Sequence, residues 1–150
     1  MLPLNTNSLP VASASPSTTV AVAPKLPFSP IRVLPNSLVM VSGTLPFVSP
    51  GVLKEGSIEE MTAQIFENVK KVLEGVNLTL ADIVDVTILM IDLKNDYAAM
   101  NKAYAKALEG IELLPTRMAY GVSELPFGAK IEMKCTAYKT DLVSIVTKKQ

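Results

Sequence analysis

Residues 81–92, ADIVDVTILMID, constrain the fold more than any other stretch. The run is β-branched and apolar, and a strand sends successive side chains to opposite faces. Alternation puts Val84, Val86, Ile88 and Met90 on one face and Ile83, Leu89 and Ile91 on the other. A strand apolar on both faces needs cover on both. The chain offers two helices for this. Ile58, Met61, Ile65, Val69, Val72 and Val76 recur at helical spacing behind Ser57 and Glu60, a capping-box pair, and Gly75 lies near the end. Leu93, Tyr97, Met100, Tyr104 and Leu108 form the stripe of a second helix, from about Asn95 to Leu108. Both helices fall on one face of the sheet. The other face then needs a second subunit or closure of the sheet, which favours an oligomer, and a closed ring of like subunits is the usual form.

The remaining segments complete an α+β order, β-β-α-β-α-β-β, around a mixed sheet. TTVAVAP (18–24) predicts a short first strand stopped by Pro24, and PKLPFSP (24–30) an irregular connector. SLVMVSGTLPF (37–47) holds a second strand that breaks at Ser42-Gly43. TRMAYGVSE and AKIEMKCTAY read as two strands joined by LPFG. Residues 1–17, rich in Ser and Pro and without periodicity, predict a disordered extension, and 18–150 one domain.

Composition narrows the chemistry. The net charge is zero and no basic patch or basic–aromatic interleaving occurs, so nucleic acid is an unfavoured partner. Histidine is absent, and Cys135 is the single cysteine. The commonest general base and the usual zinc-site patterns are thereby excluded. No phosphate-binding glycine motif appears, and neither cofactor nor metal is expected. No apolar run is long enough to span a bilayer, and no secretory or transit signal is evident, so the expectation is a cytoplasmic protein without a membrane partner.

Two charges then stand out in LPTRMAYGVSELPFGAKIEMKCTAY (114–138): Arg117 and Glu132, both inside strand-like sequence. Burying either without a partner is costly. With LPFG as a hairpin loop, Arg117 falls opposite Thr136 and Glu132 opposite Gly121, and both charges share a face. They then sit four residues apart along the strand, roughly 13 Å, too far for an ion pair. An arginine fork suits a carboxylate, and a glutamate can orient or deprotonate a water. A structural pairing with acids of the same fold or of a neighbouring subunit is the competing reading. Cys135 shares parity with Ile131 and Met133 and reads as a packed thiol; Met100 and Tyr104 read as core.

At these residues the chain resembles the RidA family (YjgF-like, reactive intermediate deaminase A, also called perchloric-acid-soluble protein or endoribonuclease L-PSP). PTRMAYGVSELPFGAKIEM matches the family's C-terminal signature at Pro115, Arg117, Leu125 and Ile131-Glu132-Met133. VMVSGTLP (39–46) and DLKNDYAAMNKAY resemble two further segments, and the likeness runs in order from about Thr18 to Tyr138. The resemblance implies a chorismate-mutase-like fold, a homotrimer with clefts between subunits, and cofactor-free hydrolysis of enamines and imines such as 2-aminoacrylate to 2-oxo acids and ammonia. Such a protein is a 2-iminobutanoate/2-iminopropanoate deaminase by type, with small imino and 2-oxo acids as its ligands. By position, Arg117 would hold the substrate carboxylate and Glu132 would place the attacking water. Ser42, Gly43, Asn101 and Ala119 would line or flank the pocket. The sequence departs from the family where a cleft tyrosine is usual, Ser29 standing there beside Phe28, and where a cysteine is frequent, now Ala119. A non-catalytic binder of small carboxylates or of partner proteins is the alternative, and an endoribonuclease that inhibits translation the less favoured one.

Overall fold

Ser57 opens the first helix as its spacing predicts. The structure, a computed structural model, describes residues 27–139; the predicted extension 1–17 and the strand at 18–24 lie outside the described residues. Helix α1 runs Ile58–Glu74. The Ser57 amide donates to Glu60 Oε2 at 2.9 Å and the Glu60 amide donates to Ser57 Oγ at 3.2 Å, closing the capping box. Ser57→Ala is expected to cost about 1 kcal/mol. Thermal unfolding checks this as a fall of about 4 °C in Tm. The buried face of α1 is wider than the predicted stripe, because Phe66 and Leu73 join it while Val72 and Val76 pack at its margin.

Before α1 lie β1 (Ile31–Val33) and β2 (Leu38–Thr44), then a small ribbon of β3 (Phe47–Ser49) and β4 (Val52–Leu53). After α1 come β5 (Ile83–Met90), α2 (Leu93–Ala107), β6 (Thr116–Gly121) and β7 (Ile131–Tyr138). The main sheet has the order β1-β2-β7-β5-β6 and is mixed, with β5 and β6 parallel and the other neighbours antiparallel. Both helices cover one face, and Val39, Val41, Val86, Ile88, Met90, Ile131 and Met133 are buried beneath them. The predicted α+β architecture of two helices on one face of a mixed sheet is the one observed.

Three local readings need correction. A strand, β1, forms at Ile31–Val33 just past the irregular connector, where the sequence reading placed none. In β5 the register shifts between Ile83 and Asp85, so Val84 is an extra residue and bulges out, 45% exposed, while Ile83 turns inward with Val86. The third concerns the last two strands, which do not pair: β5 lies between them. LPFG therefore closes no hairpin. Its Phe127 and Gly128 take positive φ, 60° and 72°, in a turn that carries the chain across the end of β5.

The face away from the helices is only partly covered. Met40, Met118, Tyr120 and Tyr138 are exposed large apolar or aromatic side chains, and Val84 and Ile91 join them. No helix among the described residues is long and apolar enough to cross a membrane.

Candidate functional site

Arg117 is placed by β6. Its parallel register with Val86, whose side chain is fully buried, aims it out of the sheet on the helix-covered face, at the edge strand that α2 overhangs. The guanidinium lies 4.6 Å from the Tyr104 ring centroid and 5.8 Å from that of Tyr97. Its Nη2 donates to Tyr97 Oη at 3.2 Å, and Nη1 lies 4.0 Å from Met100 Sδ. A guanidinium has five N–H donors. Stacking on aromatic faces steadies it without using them, so most of the fork stays available. Lys54 and Glu60 form an ion pair at 3.7 Å, and no acid among the described residues holds Arg117. Leu93, Lys94, Tyr97, Arg117 and Ala119 line a cleft of about 420 Å³ here.

Glu132 belongs to the opposite face. It pairs with Leu89 of β5, which pairs in turn with Tyr120 of β6, so the three share the open side of the sheet. The expectation that Arg117 and Glu132 share a face fails for this reason. It rested on direct pairing of their strands, and with β5 interposed Arg117 aligns with Val86 and Glu132 with Leu89. The two charges leave opposite faces, three residues apart along β5.

The Glu132 carboxylate is seated on Gly43. β2 and β7 slip by one residue between Val41 and Thr44, so Ser42 and Gly43 form a bulge. A methyl placed on Gly43 would lie 3.0 Å from Glu132 Cδ and overlap Oε1. The glycine is needed there for close approach. Burial pushes the half-buried Glu132 carboxyl above the ordinary range.

The other predicted residues divide between these two places or stand outside them. Ala119 lines the arginine cleft. Ser42 shares the bulge with Gly43, but its hydroxyl donates to the Ser29 carbonyl at 2.7 Å and its amide to the Pro30 carbonyl at 2.9 Å, tying the lead-in to β1 against β2. Asn101 lies on α2 outside the cleft, and its Oδ1 is buried without a hydrogen-bond partner among the described residues. Sequence reasoning missed Leu93 and Tyr97, counted as helix stripe, and Lys94. The signal lay in the stripe itself, whose first turn lies against the edge strand β6 and walls the cleft. Tyr104 is core on one side, edge-on to Phe66 with centroids 5.3 Å apart, and a platform for Arg117 on the other. Burial raises its phenol pKa, and the hydroxyl has no partner among the described residues. Burial, with the nearby Asp85 charge, pushes the Cys135 thiol up to about 12, which suits a packed thiol.

Residues 18–139 match the family described as Endoribonuclease L-PSP. A RutC family protein of Pyrococcus abyssi is 39% identical over 106 residues, 69% of this chain and 80% of its own length. A Rattus norvegicus protein named 2-iminobutanoate/2-iminopropanoate deaminase is 32% identical over 106 residues, 70% of this chain and 75% of its own. Among solved structures, yeast Mmf1 superposes with a TM-score of 0.70 at 34% identity, covering 77% of this chain and 89% of that one. E. coli TdcF with bound serine gives 0.68 at 28%, covering 77% and 90%. With its strand order, its two helices and its C-terminal signature all accounted for, the chain belongs to the RidA (YjgF-like), or endoribonuclease L-PSP, family.

Proposed function

We propose that the protein hydrolyses reactive enamines and imines, such as 2-aminoacrylate and its imine tautomer, to 2-oxo acids and ammonia without a cofactor. The observation that carries this reading is a guanidinium set in a cleft with no acid from the described residues on it. In this reading Arg117 grips the substrate carboxylate with its fork. Water adds to the imine carbon while the Glu132 carboxylate takes up one of its protons and passes it to nitrogen. The resulting carbinolamine then gives its hydroxyl proton to the amine through the same carboxylate, and the C–N bond breaks to give the 2-oxo acid and ammonia. An imine is already electrophilic, so holding it and placing a water supplies most of the gain. Tyr97 sets a phenol beside Arg117, where the N-terminal tyrosine usual in the family is absent. The name of the rat relative and the serine bound to TdcF agree with this chemistry.

Because Arg117 and Glu132 leave opposite faces of one sheet, a single chain does not bring them to one substrate. A homotrimer resolves this if Arg117 of one copy meets Glu132 and Gly43 of the next, with the open apolar face buried inside the ring. The compartment in this reading is the cytoplasm.

The direct test generates 2-aminoacrylate with a serine-eliminating lyase and follows imine decay with and without the protein, beside a light-scattering mass. Accelerated decay from a particle of three chains is expected. Decay at the buffer rate for several amino-acid-derived imines removes the proposal.

A further inference from the structure

The cleft beside Arg117 has a second cation. Lys94 lies two residues after the N-cap Asp92, in the first turn of α2, and lines the cleft with Leu93, Tyr97, Arg117 and Ala119. Both charged lining residues are thus positive, and neither forms an ion pair among the described residues. The lysine is also in the wrong place for the helix, since the positive end of the dipole favours acids in the first turn and opposes a cation. Nor does it gain an i+4 acid, because that position is Ala98. Asp92 and Asp96 stand in the same turn but do not line the cleft, and Asp92 is engaged in capping, accepting from the Asn95 amide at 3.2 Å and from its Nδ2 at 2.7 Å. Lys94 therefore has no visible role in the stability of its own chain. Its surroundings suit an anion brought by a ligand. One carboxylate on Arg117 leaves Lys94 unanswered.

We propose that the cleft takes ligands with two acid groups, the imines of acidic amino acids, with Arg117 on the carboxylate next to the imine carbon and Lys94 on the carboxylate of the side chain. This specificity rests on the deaminase reading above. The chemistry is unchanged: water adds to the C=N carbon, nitrogen departs as ammonia, and a 2-oxo diacid remains.

The test compares 2-iminoglutarate with 2-iminopropanoate, each generated in situ by an amino-acid oxidase, on wild type, Lys94→Met and Lys94→Arg. Wild type is expected to favour the diacid about fivefold in kcat/KM, the scale of a solvent-exposed ion pair. Lys94→Met should erase that preference, lowering kcat/KM for 2-iminoglutarate to the level of 2-iminopropanoate measured on the same variant, and Lys94→Arg should keep it. Equal kcat/KM for the two imines in wild type, or a preference that survives Lys94→Met, overturns the proposal and leaves the deaminase reading standing. If neither imine is hydrolysed, the deaminase reading falls, and calorimetry with 2-oxoglutarate and pyruvate still decides this one. Tighter binding of 2-oxoglutarate that Lys94→Met abolishes upholds the two-anion cleft, and equal binding of both ligands refutes it.

Discussion

Arg117→Ala is expected to lower kcat/KM for 2-iminopropanoate by about thirtyfold to several thousandfold, with Tm changed by less than about 4 °C. The activity estimate follows from truncating one partner of a desolvated, hydrogen-bonded charge pair, which costs about 2–5 kcal/mol, at about 1.4 kcal/mol per tenfold. The stability estimate follows from what the arginine lacks. Among the described residues it is in no ion pair, so its removal strands no buried acid there, and it forfeits stacking on Tyr97 and Tyr104 while relieving the desolvation of a half-buried cation. Arg117→Lys keeps the charge but not the fork and should fall between. A sharper outcome comes from mixing. Arg117→Ala and Glu132→Gln are each expected to be nearly inactive alone. Co-refolded in equal amounts into random rings, about one cleft in four combines an intact Arg117 from one copy with an intact Glu132 from its neighbour, so about a quarter of wild-type activity should return. A site built within one chain would recover nothing, because no single copy holds both groups. The recovered fraction therefore reads out where the two halves meet.

How far the sequence reveals this arrangement depends on which physical signal carries each part. Both helices are legible because their apolar spacing and the Ser57–Glu60 box are local properties of the chain. β5 is legible as a central strand, yet the bulge at Val84 is not, since one inserted residue leaves the apolar composition unchanged while reversing parity before it. The pairing of the last two strands is a tertiary choice. A short link between two strands favours a hairpin, but β5 and α2 form a parallel crossover that sets β6 beside β5, and β7 takes the other side of β5. The burial patterns record the difference. β7 buries Ile131, Met133, Cys135 and Ala137 in strict alternation, whereas β6 buries no residue fully and exposes Met118 and Tyr120, as an edge strand does. Arg117 and Glu132 were identifiable as unusual charges in strand sequence. Their separation onto two faces was not, because it follows from the interposed strand alone.

Glu132→Gln should lower kcat by about 10²–10⁴-fold with KM for the imine nearly unchanged, since the glutamate acts on water and proton while Arg117 holds the carboxylate. Gly43→Ala is expected to reproduce most of that loss. The added methyl overlaps Oε1, the free end of a flexible side chain, so the carboxylate swings aside at little cost to the fold and loses its position. A fall in kcat without a fall in Tm separates this from general damage. Burial raises the Glu132 pKa, so the acidic limb of the kcat profile should lie above the range of an exposed carboxylate, and activity should fall as pH drops through it. Stability runs the other way. A carboxyl whose pKa is higher folded than unfolded binds its proton more tightly in the native state, and the stability this contributes is complete below the unfolded pKa and lost as pH rises through the folded one. At neutral pH the ionised Glu132 is therefore a burden on the fold, and Glu132→Gln should be at least as stable as wild type, with any advantage disappearing as pH falls into the carboxyl range. Thermal unfolding of the two proteins at pH 7 and pH 4 measures this. A Glu132→Gln protein markedly less stable at pH 7 would mean that the carboxylate holds the sheet together, and it would cease to be a candidate base.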